Sequence, residues 1–156
     1  MRLDITSLLS KTLSDYGDTN FTIRKSIRGG EILLHNGYRY TKQRTNSNGL
    51  IVWRCVKRKI CRTCIVSDGI RIIRQNKHKC EADEVENEIL KYIDKCIARV
   101  QVESGSVPSI YAQVVEEFNS TGMNVTKQMP PFDNVKTVLY KHRHKSKQER
   151  DNMILL

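Results

Sequence analysis

The pattern of apolar and polar residues changes near residue 81, and it predicts strands before that point and helices after it. Before it, the chain carries short β-rich runs, separated by Asn36-Gly37, Asn48-Gly49 and Asp68-Gly69: EILLH, YRYTK, LIVWRCV, ICRTCIVS and IRIIRQ. Asn-Gly and Asp-Gly supply the positive φ angles that two-residue hairpin turns require. The first half of the chain therefore predicts an antiparallel meander of three or four strands.

After residue 81 the apolar positions follow helical spacing. The segment DEVENEILKYIDKCIARVQVE has acidic residues in its first turn and an apolar stripe at Val85, Ile89, Ile93, Ile97 and Val100, as expected for a helix. SIYAQVVEEFNS predicts a second helix ending near Gly122, and DNVKTVLYKHRHK predicts a third with Asp133 as its N-cap. The expected fold class is α+β, a small antiparallel sheet followed by a three-helix C-terminal region.

The charge distribution places a boundary at the same position. Residues 24–80 contain fifteen Lys/Arg and two acids, a net charge of +13, whereas residues 81–105 contain seven acids and three bases, a net charge of −4. We therefore expect four segments: a flexible N-terminal segment 1–20, a strand-rich module 21–81, a helical domain 84–147 and a tail 148–156.

The overall composition narrows the partners and the compartment. A formal charge of +10 over 156 residues favours an anionic partner, nucleic acid before a membrane surface. No apolar run reaches the roughly 18 residues that a membrane span requires, and the N-terminus does not resemble a signal peptide. We therefore expect a reducing compartment, where clustered cysteines are metal ligands or reactive thiols rather than disulfides.

Three cysteines lie in WRCVKRKICRTC, residues 53–64. Cys55 and Cys61 are predicted on neighbouring strands, and His78 and Cys80 follow the last strand, where the chain could return to the sheet. Three sulfurs and one imidazole nitrogen make a closed, structural zinc site. Alternatively, Cys55 and Cys61 are small buried apolar residues and His78 is a solvated one. The small core of so basic a module favours the metal.

Residues 21–80 also resemble a FLYWCH-type zinc finger, on the order and spacing of these landmarks: Phe21, Leu33 or Leu34, Tyr38 or Tyr40, Trp53-Arg54-Cys55, Cys61-Arg62-Thr63 and His78-Lys79-Cys80. The final histidine of the family pattern is Cys80 here, so the resemblance implies one structural Zn²⁺ bound by a C2HC set. It further implies a WRKY-like sheet, DNA binding or protein interaction, and a helical extension like that of some transposon-derived FLYWCH proteins.

The remaining cysteines and histidines are assigned ordinary structural roles. Cys64 is the alternative to Cys61 as a metal ligand, since Cys61-x2-Cys64 is also a metal-like spacing. The two cysteines lie three apart on one predicted strand and so face opposite ways, and the family pattern aligns its second cysteine with Cys61. Cys64 and Cys96 are expected to be buried thiols. The histidines are expected at the surface: His35, His142 and His144.

A closed zinc site has no open position for an activated water, so function is expected on the surface. The candidate nucleic-acid-binding residues are Arg28, Arg39, Lys42, Arg44, Arg54, Lys57, Arg58 and Lys59. No Gly-rich phosphate loop, HExxH or nucleophile elbow is present, so we expect no enzyme and no small-molecule substrate. The expected function is a nuclear DNA-binding regulator of transcription or chromatin. The alternative is an adaptor that binds proteins through the finger and the C-terminal helices.

Overall fold

The computed structural model describes residues 18–26 and 28–154. The chain divides into two compact units at the junction between residues 84 and 85. They are called the sheet unit (18–84) and the helical unit (85–154) below. The N-terminal segment 1–20, predicted to be flexible, lies outside the described residues except for Asp18, Thr19 and Asn20.

The sheet unit is a six-stranded antiparallel sheet in which each strand pairs with the next along the chain. The strands are β1 (Thr22–Lys25), β2 (Glu31–His35), β3 (Tyr38–Thr45), β4 (Ile51–Cys55), β5 (Cys64–Ser67) and β6 (Ile72–Gln75). The antiparallel sheet is confirmed, but the predicted number of three or four strands is wrong. The least visible strand in the sequence is β1, because its side chains are mostly exposed and show no apolar alternation. It forms by pairing with β2.

The β2–β3 hairpin turns at Asn36-Gly37 with positive φ at both residues, 49° and 81°. This is the backbone conformation that a two-residue turn matching the twist of the strands requires. A Cβ on Gly37 would lie 2.9 Å from the side chain of Ala82, and Asp83 donates a hydrogen bond to the carbonyl of Gly37. The turn thus also anchors the chain that follows the last strand.

A short segment before β1 joins the two ends of the sheet. Asp18 exchanges two backbone hydrogen bonds with Ile72 in β6, at 3.0 and 2.7 Å, so the sheet curls until its first and last strands are linked. The same closure brings Oδ2 of Asp18 to 2.6 Å from Nε2 of His35. The prediction of His35 as a surface residue is therefore wrong: it is buried, because residues far apart in the sequence cover it.

One face of the sheet carries the core of the unit, which includes Leu33, Tyr40, Trp53, Ile65 and Ile72 together with three cysteines. The indole N–H of Trp53 is satisfied by Oγ of Ser67, at 2.9 Å. A buried polar group without such a partner would cost free energy. The core and the cysteines therefore share one side of the sheet.

The helical unit consists of three α-helices, as predicted. They are α1 (Glu84–Val102), α2 (Val107–Ser120) and α3 (Phe132–Ile154), with a 3₁₀ turn at Met123–Val125. Ser106 caps α2 by accepting a hydrogen bond from the backbone of Ser109. Helix α3 runs past residue 147, where the helical domain was predicted to end, and it continues to Ile154 without a Gly or Pro. The prediction of Asp133 as the N-cap of α3 is wrong, because the helix begins at Phe132 and Asp133 lies inside its first turn.

The apolar stripe of α1 is used inside the helical unit. Ile89 is buried, and Val85, Ile93 and Ile97 pack against the same core, which is completed by residues of α2 and α3. The guanidinium of Arg143 on α3 donates to the carbonyls of Val100 and Glu103, both at 2.9 Å. Within the described part of the chain, no helix combines the length and the apolar character that crossing a membrane requires.

Candidate metal centre

The two cysteines nearest in sequence reach the centre from a strand end and a turn. Cys55 ends β4, and Cys61 follows a turn in which its backbone N–H donates to the carbonyl of Lys57, at 2.8 Å. The prediction that Cys61 begins a strand shared with Cys64 is therefore wrong, because β5 begins only at Cys64. The turn is tight enough to return Cys61 to the buried face that Cys55 occupies.

The other two potential ligands come from the segment after β6. Thr63 donates its hydroxyl to the carbonyl of Lys77, at 2.9 Å, which holds this segment beside the Cys61 turn. His78 and Cys80 then face the first two cysteines. In the described residues these four side chains form the one group of three or more Cys, His, Asp or Glu with suitably placed ligand atoms, all within 4.8 Å of one another.

The distances among the ligand atoms fit a tetrahedral zinc ion. The sulfurs of Cys55 and Cys80 are 3.7 Å apart, and Nδ1 of His78 lies 3.4 Å from Sγ of Cys61 and 3.5 Å from Sγ of Cys80. Zn–S bonds of about 2.3 Å and tetrahedral angles require sulfurs roughly 3.8 Å apart. The three cysteines are buried, as expected for a closed structural site. This group could hold one zinc ion.

The imidazole of His78 is held by two tyrosines. Tyr38 stacks on it with ring centroids 3.6 Å apart and the planes 4° from parallel, and the hydroxyl of Tyr40 is hydrogen-bonded to Nε2. When Nδ1 binds a metal, Nε2 carries the proton and donates to Tyr40. The tyrosines thus set both the plane of the ring and its tautomer. The FLYWCH resemblance named one of the two tyrosines as a landmark, but it did not predict their contacts with His78.

The protein stabilises one thiolate by itself. Burial opposes the charged form of Cys61, but hydrogen bonds outweigh burial and lower the pKa of this thiol to about 5. The partners are the side chain of Thr63 and the backbone N–H groups of Lys79, Thr63 and Cys80. For Cys80, burial raises the pKa to about 12, and its hydrogen bonds with Cys55 and Cys61 add to the effect. Several thiolates therefore need a cation to ionise together, and Zn²⁺ supplies that charge.

The remaining cysteines and histidines lie outside the group. Cys96 is buried as predicted, whereas Cys64 is only half-buried, because it begins β5 beside Arg54 on the face opposite the core. His142 is half-buried, with Nδ1 at 3.3 Å from Nε2 of Gln101, and His144 is exposed.

Comparison with known families matches the model described as "FLYWCH zinc finger domain" to residues 23–80. Residues 23–80 are therefore similar to a FLYWCH zinc finger, and they are called the FLYWCH finger below. The FLYWCH finger extends from Ile23 in β1 to Cys80, so it contains all four potential ligands and both tyrosines. Searches of curated proteins and of solved structures returned no significant match to the chain.

The eight basic residues predicted to bind nucleic acid do not share one surface of the FLYWCH finger. Arg28 is exposed in the β1–β2 turn, and Lys57, Arg58 and Lys59 are exposed on the turn before Cys61. Arg39 and Lys42 lie on opposite faces of β3, because Lys42 pairs in register with Trp53 of the core face, whereas Arg39 is the sequence neighbour of Tyr40, which lies on that face. Arg44 and Arg54 line a groove on the other face.

A bulge explains why alternation along β3 did not predict this division. The register with β4 shifts between Lys42 and Arg44, which places two residues of a regular alternation on different faces. Arg62 and Arg74, which the sequence did not single out, line the groove beside Arg44 and Arg54. Both belong to the fifteen Lys and Arg of residues 24–80, so the charge of this segment is the only feature of the sequence that pointed to them.

Proposed function

We propose that the chain is a nuclear, non-catalytic DNA-binding protein, a regulator of transcription or chromatin, whose FLYWCH finger contacts DNA. The observation that carries the proposal is the positive charge of the finger. Residues 24–80 have a net charge of +13. Their two carboxylates already lie beside cations, Glu31 at 3.6 Å from Lys42 and Asp68 at 3.2 Å from Arg71.

A polyanionic partner explains so basic a surface better than the need for solubility does. A soluble domain normally mixes acidic and basic side chains, whereas a phosphate backbone rewards many cations with the release of condensed counterions. The sheet supplies a fixed scaffold for these cations, and the zinc ligands hold its second half in place. The closed donor set of three sulfurs and one nitrogen gives the ion a structural role rather than a catalytic one.

The alternative role is a protein-binding adaptor, which is the second role that the FLYWCH resemblance implies. An exposed apolar stripe on α1 would support this role, because such a stripe can pair with a helix of another chain. That stripe packs in the core of the helical unit, so the observation no longer favours the adaptor. The DNA-binding proposal rests on a feature that stays exposed.

The proposal is tested by measuring the salt dependence of DNA binding. Fluorescence anisotropy with a labelled duplex of mixed sequence, at increasing salt, gives the affinity of the zinc-loaded chain. About six phosphate contacts should reduce the affinity roughly thousandfold between 50 and 200 mM salt. If the chain does not bind DNA, or if salt does not change its affinity, the result contradicts the proposal and favours the adaptor.

A further inference from the structure

The sheet face opposite the zinc ligands carries a groove of about 460 Å³. One cross-strand row runs through it, because Val52 pairs with Arg44 on one side and with Val66 on the other, and Val66 pairs with Arg74. The row therefore has an apolar centre and an arginine at each end. Arg54, which pairs with Cys64, and Arg62 line the groove beside this row.

Four arginines line this groove, and no Asp or Glu is among its lining residues. Nε of Arg44 donates to Oδ1 of Asn46, at 3.1 Å, which orients this guanidinium and leaves its terminal nitrogens to a ligand. Guanidinium groups bind phosphate oxygens with two parallel hydrogen bonds, which lysine cannot provide. The charge and the side-chain type both match a phosphodiester.

The lining distinguishes among nucleic acids. It contains no Phe, Tyr or Trp, whereas proteins that bind single strands present aromatic rings on which unpaired bases stack. Tyr38 and Tyr40 contact His78 on the metal side, and Trp53 is buried in the core. The apolar floor of Val52 and Val66 suits the apolar edge of deoxyribose or a thymine methyl group. The bases of a duplex already stack on one another, so a duplex needs no aromatic ring from the protein.

We propose that this groove, called the arginine groove, holds one sugar–phosphate strand of duplex DNA, with Arg44, Arg54, Arg62 and Arg74 contacting its phosphates. This inference rests on the proposed DNA-binding function and names the site that performs it. It assigns phosphate contacts to Arg62 and Arg74, and it excludes Lys42 and Arg28 from this groove.

The test compares two double variants that remove the same charge. Arg62→Ala with Arg74→Ala removes two groove arginines, and Lys25→Ala with Arg28→Ala removes two exposed cations of the β1 region. Charged hydrogen bonds lost at the groove should weaken duplex binding roughly 100-fold, and the salt slope should fall by about 2. The control pair should change the affinity only a few-fold. Zinc content measured by native mass spectrometry shows that both variants keep the finger intact.

The outcomes separate the two proposals. Equal losses in both variants overturn the arginine groove but leave the DNA-binding function standing, since the charge then acts as a whole. If the unmodified chain does not bind the duplex, the proposed function fails and the groove fails with it. Tighter binding of single-stranded DNA or RNA of the same sequence overturns the assignment to a duplex.

Cys64 provides a second measurement that needs no variant. Its thiol lines the groove and is half-buried, while the other four cysteines are buried. N-ethylmaleimide should label Cys64 in the free, zinc-loaded protein, as located by peptide mass spectrometry. Duplex DNA should slow the labelling in proportion to the fraction of protein bound. An unchanged labelling rate at saturating DNA overturns the groove, even where the double variant cannot be prepared.

Discussion

The phenol of Tyr40 is hydrogen-bonded to Nε2 of His78, the ring nitrogen that faces away from the cysteine sulfurs. Tyr40 lies on β3 and His78 lies after β6, so the hydrogen bond joins residues 38 positions apart in the sequence. Burial raises the pKa of Tyr40, with the neighbouring cysteines adding to the effect, which keeps the phenol neutral. A neutral hydroxyl can accept the Nε2 proton when Nδ1 binds a metal.

Replacing Tyr40 with Phe should therefore weaken zinc binding roughly 10- to 100-fold, because the Nε2–H of His78 loses its partner. Competition with a chromophoric chelator measures the affinity. Tyr111→Phe is the matched control. It also removes a hydrogen-bonded tyrosine hydroxyl, one that donates to the carbonyl of Pro130 in the helical unit, away from the zinc ligands. Its zinc affinity should equal that of the unmodified chain. Equal affinities for Tyr40→Phe and the control contradict the role of Tyr40.

Removal of zinc should unfold the sheet unit and leave the helical unit folded. The sheet core is small and includes three of the ligands, whereas the helical unit has its own core and contains none of them. The chain has a single tryptophan, Trp53, which is fully buried in the sheet unit. Chelator should shift its fluorescence to longer wavelength while the helical circular dichroism persists. A metal-free protein with an unshifted Trp53 emission contradicts the structural role of zinc.

Substitution of single cysteines should identify the ligands. Cys55→Ser removes a sulfur 3.7 Å from that of Cys80, and we expect it to abolish stoichiometric zinc binding and to unfold the sheet unit, as His78→Ala should. Cys64→Ser changes a thiol on the opposite face, so it should retain one zinc ion. Native mass spectrometry measures both. Loss of zinc in Cys64→Ser would show that the ligand set is wrong.

Asp18→Asn should destabilise the sheet unit by about 1 kcal/mol, a modest amount because the carboxylate is partly exposed. The hydrogen bond with His35 is the largest cause of a lowered pKa for Asp18. A lowered pKa contributes stability above the ordinary value of 3.8, and that contribution disappears as the pH falls through the lowered pKa. The difference from the unmodified chain should therefore be full at neutral pH and shrink only in acid.

Urea denaturation followed by Trp53 fluorescence measures this difference on the zinc-loaded protein. Glu31→Gln is the control, because its ion pair with Lys42 joins two exposed side chains and contributes little to stability. Identical midpoints for Asp18→Asn and Glu31→Gln at neutral pH would show that the link between Asp18 and His35 does not stabilise the curled sheet.

Local residue patterns in the sequence determined the types of secondary structure and the metal-ligand set of this protein. Asn-Gly and Asp-Gly pairs and the apolar spacing after residue 81 predicted hairpins followed by three helices. The order of Cys55, Cys61, His78 and Cys80 predicted a zinc site, because ligand type and chain order persist whatever the register. The family comparison matches the FLYWCH model to residues 23–80, which contain this ligand set.

Only the tertiary structure decided which side chains meet across the sheet. His35 is buried because Asp18 closes the sheet over it, and one bulge in β3 sends Lys42 and Arg44 to different faces. The arginine groove takes its cations from four separate positions along the chain, which meet only when β3 to β6 pair in register: Arg44, Arg54, Arg62 and Arg74. Strand register depends on contacts between distant residues, and a shift of one residue exchanges the two faces. That is why the charge was evident in the sequence and its place on the surface was not.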